Sequence, residues 1–190
     1  MSATEPFGQL SGSLQVWVAP RPTAVPAVNA TPSGSWYLFG ATDGGQKLKH
    51  GGKLKFWRDD DHQGPSLSRR PEEDVTLTFT LVNAVLENYA RMLHNVANLV
   101  SAAGPPATRT MYLKRGPVPS EYSIYLRGTV LSPYGAFPGG YYIPRMVFDG
   151  EPEAAFAKDG RVGLECQLVA LEDDSYADAQ KMGWLVVQTS

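Results

Sequence analysis

The residues that could do chemistry in this chain are few and scattered. Three histidines, His50, His62 and His94, stand far apart in a sequence with one cysteine, Cys166. A tetrahedral metal centre needs His and Cys at short fixed spacings of the HExxH kind, and none occurs here. Each histidine therefore reads as a surface or locally hydrogen-bonded residue. Cys166 alternates with Glu165 and Gln167, which points it at a core. A lone cysteine offers neither an intrachain disulfide nor a zinc cluster, and this one has no basic or histidine neighbour in sequence to activate its thiol.

Carboxylates form the commoner grouping. Asp59-Asp60-Asp61 has the oxygen ligands calcium would want. It lacks the loop pattern closed by a Glu, so it reads as a solvated acidic loop. Glu151-Pro152-Glu153 and Glu172-Asp173-Asp174 fall at predicted strand ends, with no apolar pocket signature to turn either into an acid and base pair. Gly44-Gly45, Gly51-Gly52 and Gly139-Gly140 lack phosphate-loop spacing and read as turns, and no GxSxG elbow is present. Tyr134, Phe137, Tyr141 and Tyr142 gather beside glycines and prolines with only Arg127 and Arg145 for company. Base stacking needs more positive charge than that, so an interface or a core is the better use. The residues thus predict no catalytic centre, no cofactor and no metal.

The elements that carry these residues are mostly strands. At 190 residues, with 19 Gly and 15 Pro, the chain has the length of one turn-rich domain, 1–190. Alternating runs predict strands at Ser13–Val18, Trp36–Gly40, Val75–Leu81, Arg109–Lys114, Tyr122–Gly128, Tyr141–Phe148, Arg161–Leu171 and Trp184–Gln188. Lys47–Lys49 and Lys53–Phe56 flank His50-Gly51-Gly52 as a hairpin would. Residues 1–13 form an N-terminal arm, 19–35 a Pro-rich extended segment, 57–74 a long polar loop, and Ser132–Gly140 a further loop. One helix is predicted over about 83–103, capped by Asn83, with Val85, Leu86, Tyr89, Leu93, Val96 and Val100 on one face and Gly104-Pro105 as its stop.

Charge is blocked along the chain: +4 over residues 1–58, −4 over 59–74, +4 over 75–148 and −6 over 149–190, for a net of −2. A net charge near zero excludes a protein built mainly to grip nucleic acid. Alternating blocks suit contact between copies, where a basic surface of one meets an acidic surface of the next. The N-terminus has no basic region followed by an apolar one, and no apolar run of membrane length occurs, so synthesis and folding in the cytoplasm are expected.

Several pieces in order resemble the major tail tube protein of long-tailed (siphovirus-type) bacteriophages. They are the strand-to-helix run Thr78–Asn88, Leu126-Arg127-Gly128 leading to Pro133-Tyr134-Gly135, Ile143-Pro144-Arg145, Glu153-Ala154-Ala155-Phe156 leading to Lys158-Asp159-Gly160, and Ala170-Leu171-Glu172-Asp173. The resemblance implies a mainly β fold, a β-sandwich or partly rolled β-barrel with one flanking helix, a long inter-strand loop and terminal arms. It implies a structural virion protein, not an enzyme, whose copies form stacked hexameric rings through which genomic DNA passes. Partners would be the protein itself, a tape-measure protein, tail terminator and distal tail proteins, and DNA in transit. Candidate lumen-facing or ring-stacking residues are Glu165, Glu172, Asp173 and Asp174. Candidate inter-ring residues are Asp59, Asp60, Asp61, Arg69, Arg70, Glu72, Glu73 and Asp74. A distal tail or terminator protein of the same fold is the structural alternative, and a small-ligand-binding β-barrel or enzyme the alternative of another class.

Overall fold

Every second residue of Val75–Leu81 is apolar, and Val75, Leu77, Phe79 and Leu81 are buried while Thr76, Thr78 and Thr80 stand on the opposite face. The structure, a computed structural model, describes residues 9–58, 60, 61, 63–70, 72–82, 85–132, 135–150, 152, 154, 155 and 163–188. Among these the chain is mainly β, with one α-helix. The strands are β1 (Gln9–Pro20), β2 (Tyr37–Leu38), β3 (Thr42–Gly51), β4 (Lys55–Trp57), β5 (Leu67–Arg69) and β6 (Asp74–Leu81). After helix α1 (Leu86–Met92) come β7 (Leu99–Ala102), β8 (Thr108–Met111), β9 (Glu121–Ser132), β10 (Gly135–Phe148), β11 (Ala154–Ala155), β12 (Gly163–Ala170) and β13 (Trp184–Val187).

One antiparallel sheet of nine strands runs β2-β1-β9-β10-β12-β6-β3, with β11 beside β12 and β13 beside β10. Its inner face collects Val16 and Val18 from β1, Ile124 and Leu126 from β9, Ile143, Met146 and Phe148 from β10, and Leu164, Cys166 and Leu168 from β12. Leu77, Leu81, Leu164 and Leu168 are wholly buried, each contributing about 1.5–3 kcal/mol.

The sheet rolls until its margins, β1 and β3, approach, but among the described residues no backbone ladder closes it. The Gln46 side chain spans the gap. Leu14 N donates to Gln46 Oε1 at 3.0 Å, and Gln46 Nε2 donates to Leu14 O at 2.6 Å. Both margins are irregular there, β1 between Ser11 and Gln15 and β3 between Asp43 and Gln46. Bulges twist and re-aim a strand. In β3 the device is Gly44 and Gly45, at φ 70° and 79°, where a side chain would be strained. The expected turn at Asp43-Gly44-Gly45 is therefore a bulge inside a strand.

A second layer lies outside β1, β9 and β10. Ala19, Trp36, Tyr125 and Tyr142 are buried there, with Trp17, Tyr176, Trp184 and Val186 against them. Trp36 meets Tyr125 and Tyr142 edge-on at 6.4 and 6.2 Å, a favoured aromatic geometry. The Pro-rich segment is bound down near its start, at Thr23 and Ala24. Trp36 Nε1 donates to Ala24 O at 3.0 Å, and Tyr142 Oη donates to Thr23 O at 3.2 Å.

Several expectations need correction. The helix is seven residues, not 83–103, and its N-cap is Val85; Asn83 lies outside the described residues. His94, at φ 53°, ends it by turning the chain left-handed. Ser120 N donates to His94 Nδ1 at 3.1 Å, so the ring's Nε2–H donates to Phe148 O at 3.0 Å, which fixes the tautomer. Beyond it Asn95 Nδ2 donates to Tyr112 O at 2.5 Å, and Val100 pairs with Thr110 in β7–β8. Asparagine side chains that bond backbone compete with helix, and β-branched valines accept a strand.

The expected hairpin over 47–56 does not form. β3 pairs with β6, and β4 with β5, so residues 57–74 hold a ribbon strand instead of one open loop. The expected loop over Ser132–Gly140 is largely strand, because β10 starts at Gly135 and pairs with β9 throughout. Tyr125 explains how glycine survives there. Its ring lies across Gly140, where a Cβ would come within 2.6 Å of both Tyr125 Cε2 and Leu126 O. Arm residues 1–8 lie outside the described residues, and 9–13 belong to β1.

Candidate assembly surfaces

The ladder registers set the level of each projecting piece. Pro20 pairs with Tyr122, Glu121 with Val147, Val147 with Val169, and Val169 with Thr76. The C-terminal end of β1, the start of β9, the end of β10, the end of β12 and the start of β6 thus lie at one end of the roll. From that end leave the Pro-rich segment, the β4–β5 ribbon, and the 171–183 segment. The stretch between β8 and β9 returns to it at Ser120.

An ionic network ties this end together. Arg21 Nε and Nη2 donate to the two oxygens of Asp173, each at 2.9 Å, a bidentate pair. Arg21 Nη1 donates to Glu121 Oε2 at 3.0 Å, and Arg145 Nη2 donates to Glu121 Oε1 at 2.5 Å. Arg145 Nη1 also donates to Glu172 O at 3.0 Å. Asp173 Oδ1 further accepts from Ser175 N and Oγ, at 3.1 and 2.6 Å. The hydrogen bonds from Arg21 hold the Asp173 carboxyl well below the ordinary carboxylate range. The hydrogen bond from Arg145, helped by Arg21, lowers the Glu121 carboxyl.

Two ribbons project with large apolar side chains uncovered. β4–β5 continues the β3–β6 pair past Gly51 and Asp74, and exposes Leu54, Phe56 and Leu67, the last at 62%. Lys55 Nζ sits 5.3 Å from the Trp57 ring, a cation–π contact. β7–β8 exposes Val100, with Tyr112, Leu113 and Val118 following it at 61%, 75% and 85%. It is anchored by Asn98, which bonds Asn95, and by an ion pair between Arg109 and Glu87. Two-stranded ribbons are marginal alone. Those of a monomer seldom leave so much apolar surface in water.

The predicted site residues do not form one site. Glu165 stands exposed near the start of β12, whereas Glu172, Asp173 and Asp174 follow its end, at least about 16 Å further along the chain. Asp173 is 2% exposed and spent on Arg21, which corrects its assignment to a lumen or stacking surface. Glu172 and Asp174 are exposed; Asp174 shares Lys181 with Asp178, each at 3.0 Å. Asp60, Asp61, Arg69, Arg70, Glu72, Glu73 and Asp74 are exposed on or beside the β4–β5 ribbon, where Arg70 pairs with Glu73 at 3.1 Å. Asp59 lies outside the described residues, as does His62.

Cross-strand neighbours define a polar outer face on β3, β6 and β12. Asp43, Thr80 and Glu165 form one row, and Lys47, Thr78 and Gln167 the next. A shallow groove runs among Asp43, Lys47, Thr78, Thr80 and Glu165. With Lys49 beside Thr76, this face carries two positive and two negative side chains, so the acidic excess of residues 149–190 does not gather there. Among the described residues no three His, Cys, Asp or Glu side chains meet as a metal site would require. Cys166 is buried against Met92, Sγ to Sδ 3.5 Å, and burial pushes its thiol up to about 12, so it is inert as a nucleophile.

Sequence reasoning missed Arg21, Glu121 and the two ribbons. The one local sign was Asp173-x-Ser175, a spacing at which an Asp side chain bonds backbone two residues on.

No family model matches the sequence, and no curated protein matches it. Chains of solved structures do match it, two of them as follows. One is a chain from the tail of an empty GTA particle obtained by helical refinement with C6 symmetry, at 9% identity and TM-score 0.42, covering 84% of this chain and 92% of that one. The other is from the virion of a native gene transfer agent (GTA) particle, at 9% identity and TM-score 0.38, covering 93% and 96% respectively.

Proposed function

We propose that this chain is a structural subunit of a phage-type tail, a tail tube protein that assembles with copies of itself into stacked hexameric rings. The observation that carries the reading is the pair of ribbons, β4–β5 and β7–β8, whose uncovered Phe56, Leu67, Tyr112 and Leu113 have no use in a lone molecule. Burying such side chains contributes about 1.5–3 kcal/mol each, enough in sum to offset the cost of association. The ordered sequence pieces that resemble tail tube proteins support the same class; the two particle structures, at their scores, add nothing to the argument.

In the assembled tube, the β4–β5 ribbon with Asp60, Asp61, Arg69, Arg70, Glu72, Glu73 and Asp74 reaches the adjacent ring. The polar face with Glu165, Thr78 and Gln167 lines the lumen, where balanced charge and hydroxyls let DNA and a tape-measure protein slide without phosphate adhesion. The chain's place is the virion, with terminator and distal tail proteins at the tube's ends.

Negative-stain microscopy and sedimentation of the purified full chain test this. Stacked tubes are expected. Single rings would move the chain to a terminator or distal tail role, and a monomer at every concentration would remove the reading. The double variant Phe56→Ser/Leu67→Ser should lose stacking while its melting temperature stays within about 4 °C, since each exposed substitution changes stability by only about 0.5 kcal/mol.

A further inference from the structure

The β7–β8 ribbon and the loop after it differ from the other ribbon in charge. Residues 95–120 contain Arg109, Lys114 and Arg115 and no carboxylate. Arg109 is spent on Glu87, which leaves Lys114 and Arg115 exposed beside uncovered Tyr112 and Leu113. The β4–β5 ribbon, by contrast, mixes Lys53, Lys55, Arg58, Arg69 and Arg70 with Asp60, Asp61, Glu72, Glu73 and Asp74, and is close to neutral. A patch of one sign repels its own image, so two copies cannot meet arm to arm about a two-fold axis.

The opposite patch is present on the same molecule. Glu172, Asp174 and Asp178 are exposed in the segment after β12, against one cation, Lys181, and Leu185 is exposed on β13 beyond it. Both patches are seated at the same level. The basic arm returns to the body at Ser120, whose N–H bonds His94; the next residue, Glu121, binds Arg21 and Arg145, which hold Asp173 and the Glu172 carbonyl.

We propose that the basic apolar arm around Tyr112, Leu113, Lys114 and Arg115 docks on the acidic 172–178 loop of a second copy of this chain. The contact is heterologous: each copy gives an arm and receives one. Donor and acceptor leave the same end of the roll, so the contact joins neighbours side by side within a ring, a role separate from stacking. It rests on the self-assembly reading above and deepens it.

A charge-swap experiment on the full chain tests it. Lys114→Glu/Arg115→Glu gives copies with an acidic arm and an acidic acceptor; Asp174→Lys/Asp178→Lys gives copies with both basic. Each variant alone should associate about a hundredfold more weakly than the unaltered chain in sedimentation at low salt, as like charges face each other. Mixed one to one, they should assemble again, with both variants in the same particle, because every arm then meets an acceptor of opposite sign. Circular dichroism melts of each variant alone show that both fold. If the unaltered chain assembles and either variant assembles equally well alone, or the mixture fails to recover, this docking is wrong while self-assembly stands. If the unaltered chain never assembles, the self-assembly reading falls and this one with it.

Discussion

Replacing Asp173 by Ala should loosen the end of the roll from which the Pro-rich and 171–183 segments leave. The carboxylate accepts two hydrogen bonds from Arg21 and two from Ser175, and it is almost fully buried. Hydrogen bonds to a charged group contribute about 1.5–3 kcal/mol, and breaking a fully buried pair costs about 3–5. Arg21 keeps 29% of its side-chain surface in water and retains Glu121, so the lower part of that range applies, about 3 kcal/mol. For a domain of this size that lowers the melting temperature by about 6–12 °C. The pH dependence has a definite sign. Asp173 has a depressed folded pKa, so its contribution is complete above the unfolded value of about 3.9 and is lost as pH falls further toward the folded one. Thermal melts of the unaltered chain and Asp173→Ala from pH 7 to pH 2.5 should therefore show a constant gap down to about pH 4 that narrows below it. Arg21→Ala/Asp173→Ala should be less unstable than the two single losses added, because the second change removes a charge the first left stranded. A melting temperature within about 2 °C of the unaltered chain at pH 7 would refute the network's structural role, and so would a gap that widens in acid.

Two further substitutions probe the frame. Gly140→Ala places a methyl group 2.6 Å from the Tyr125 ring and the Leu126 carbonyl, and overpacking of this kind costs about 1–3 kcal/mol, measurable by urea unfolding with an unchanged m value. Gln46→Ala removes both bonds to Leu14, so the Leu14 amide should exchange at least tenfold faster while amides at the centre of β9 keep their protection.

The strands were legible wherever one face is buried and the other wet. β6 and β12 alternate without a break, and Cys166 points inward as its neighbours Glu165 and Gln167 required. What misled was periodicity without knowledge of partners. Val96 and Val100 keep helical spacing, yet Asn95 bonds the Tyr112 carbonyl and Val100 pairs with Thr110, contacts that a local window does not contain. Glycine and proline in 132–140 suggested a loop because the ring that covers Gly140 comes from residue 125. The Arg21–Asp173 pair spans 152 positions, and the ribbons announce themselves only by what fails to cover them. Charge blocks were visible in the sequence, but folding scatters the acidic one: Glu165 to the polar face, Asp173 to the interior, Asp174 and Asp178 to a loop.

The aromatic layer over β1, β9 and β10 makes the wall of this molecule uneven in thickness. On that side both faces of the sheet are enclosed, so Ser123 and Tyr125 are as hidden as Ile124 and Leu126. Under β6 and β12 the wall is one strand deep, and the methyl groups of the core lie a single backbone away from the outside. Substitution is therefore constrained at successive positions from Tyr122 to Leu126 in the thick wall and at every second position along the thin one. Residues such as Thr78 and Gln167 are left free to change, while Leu77 and Leu168 beneath them hold still.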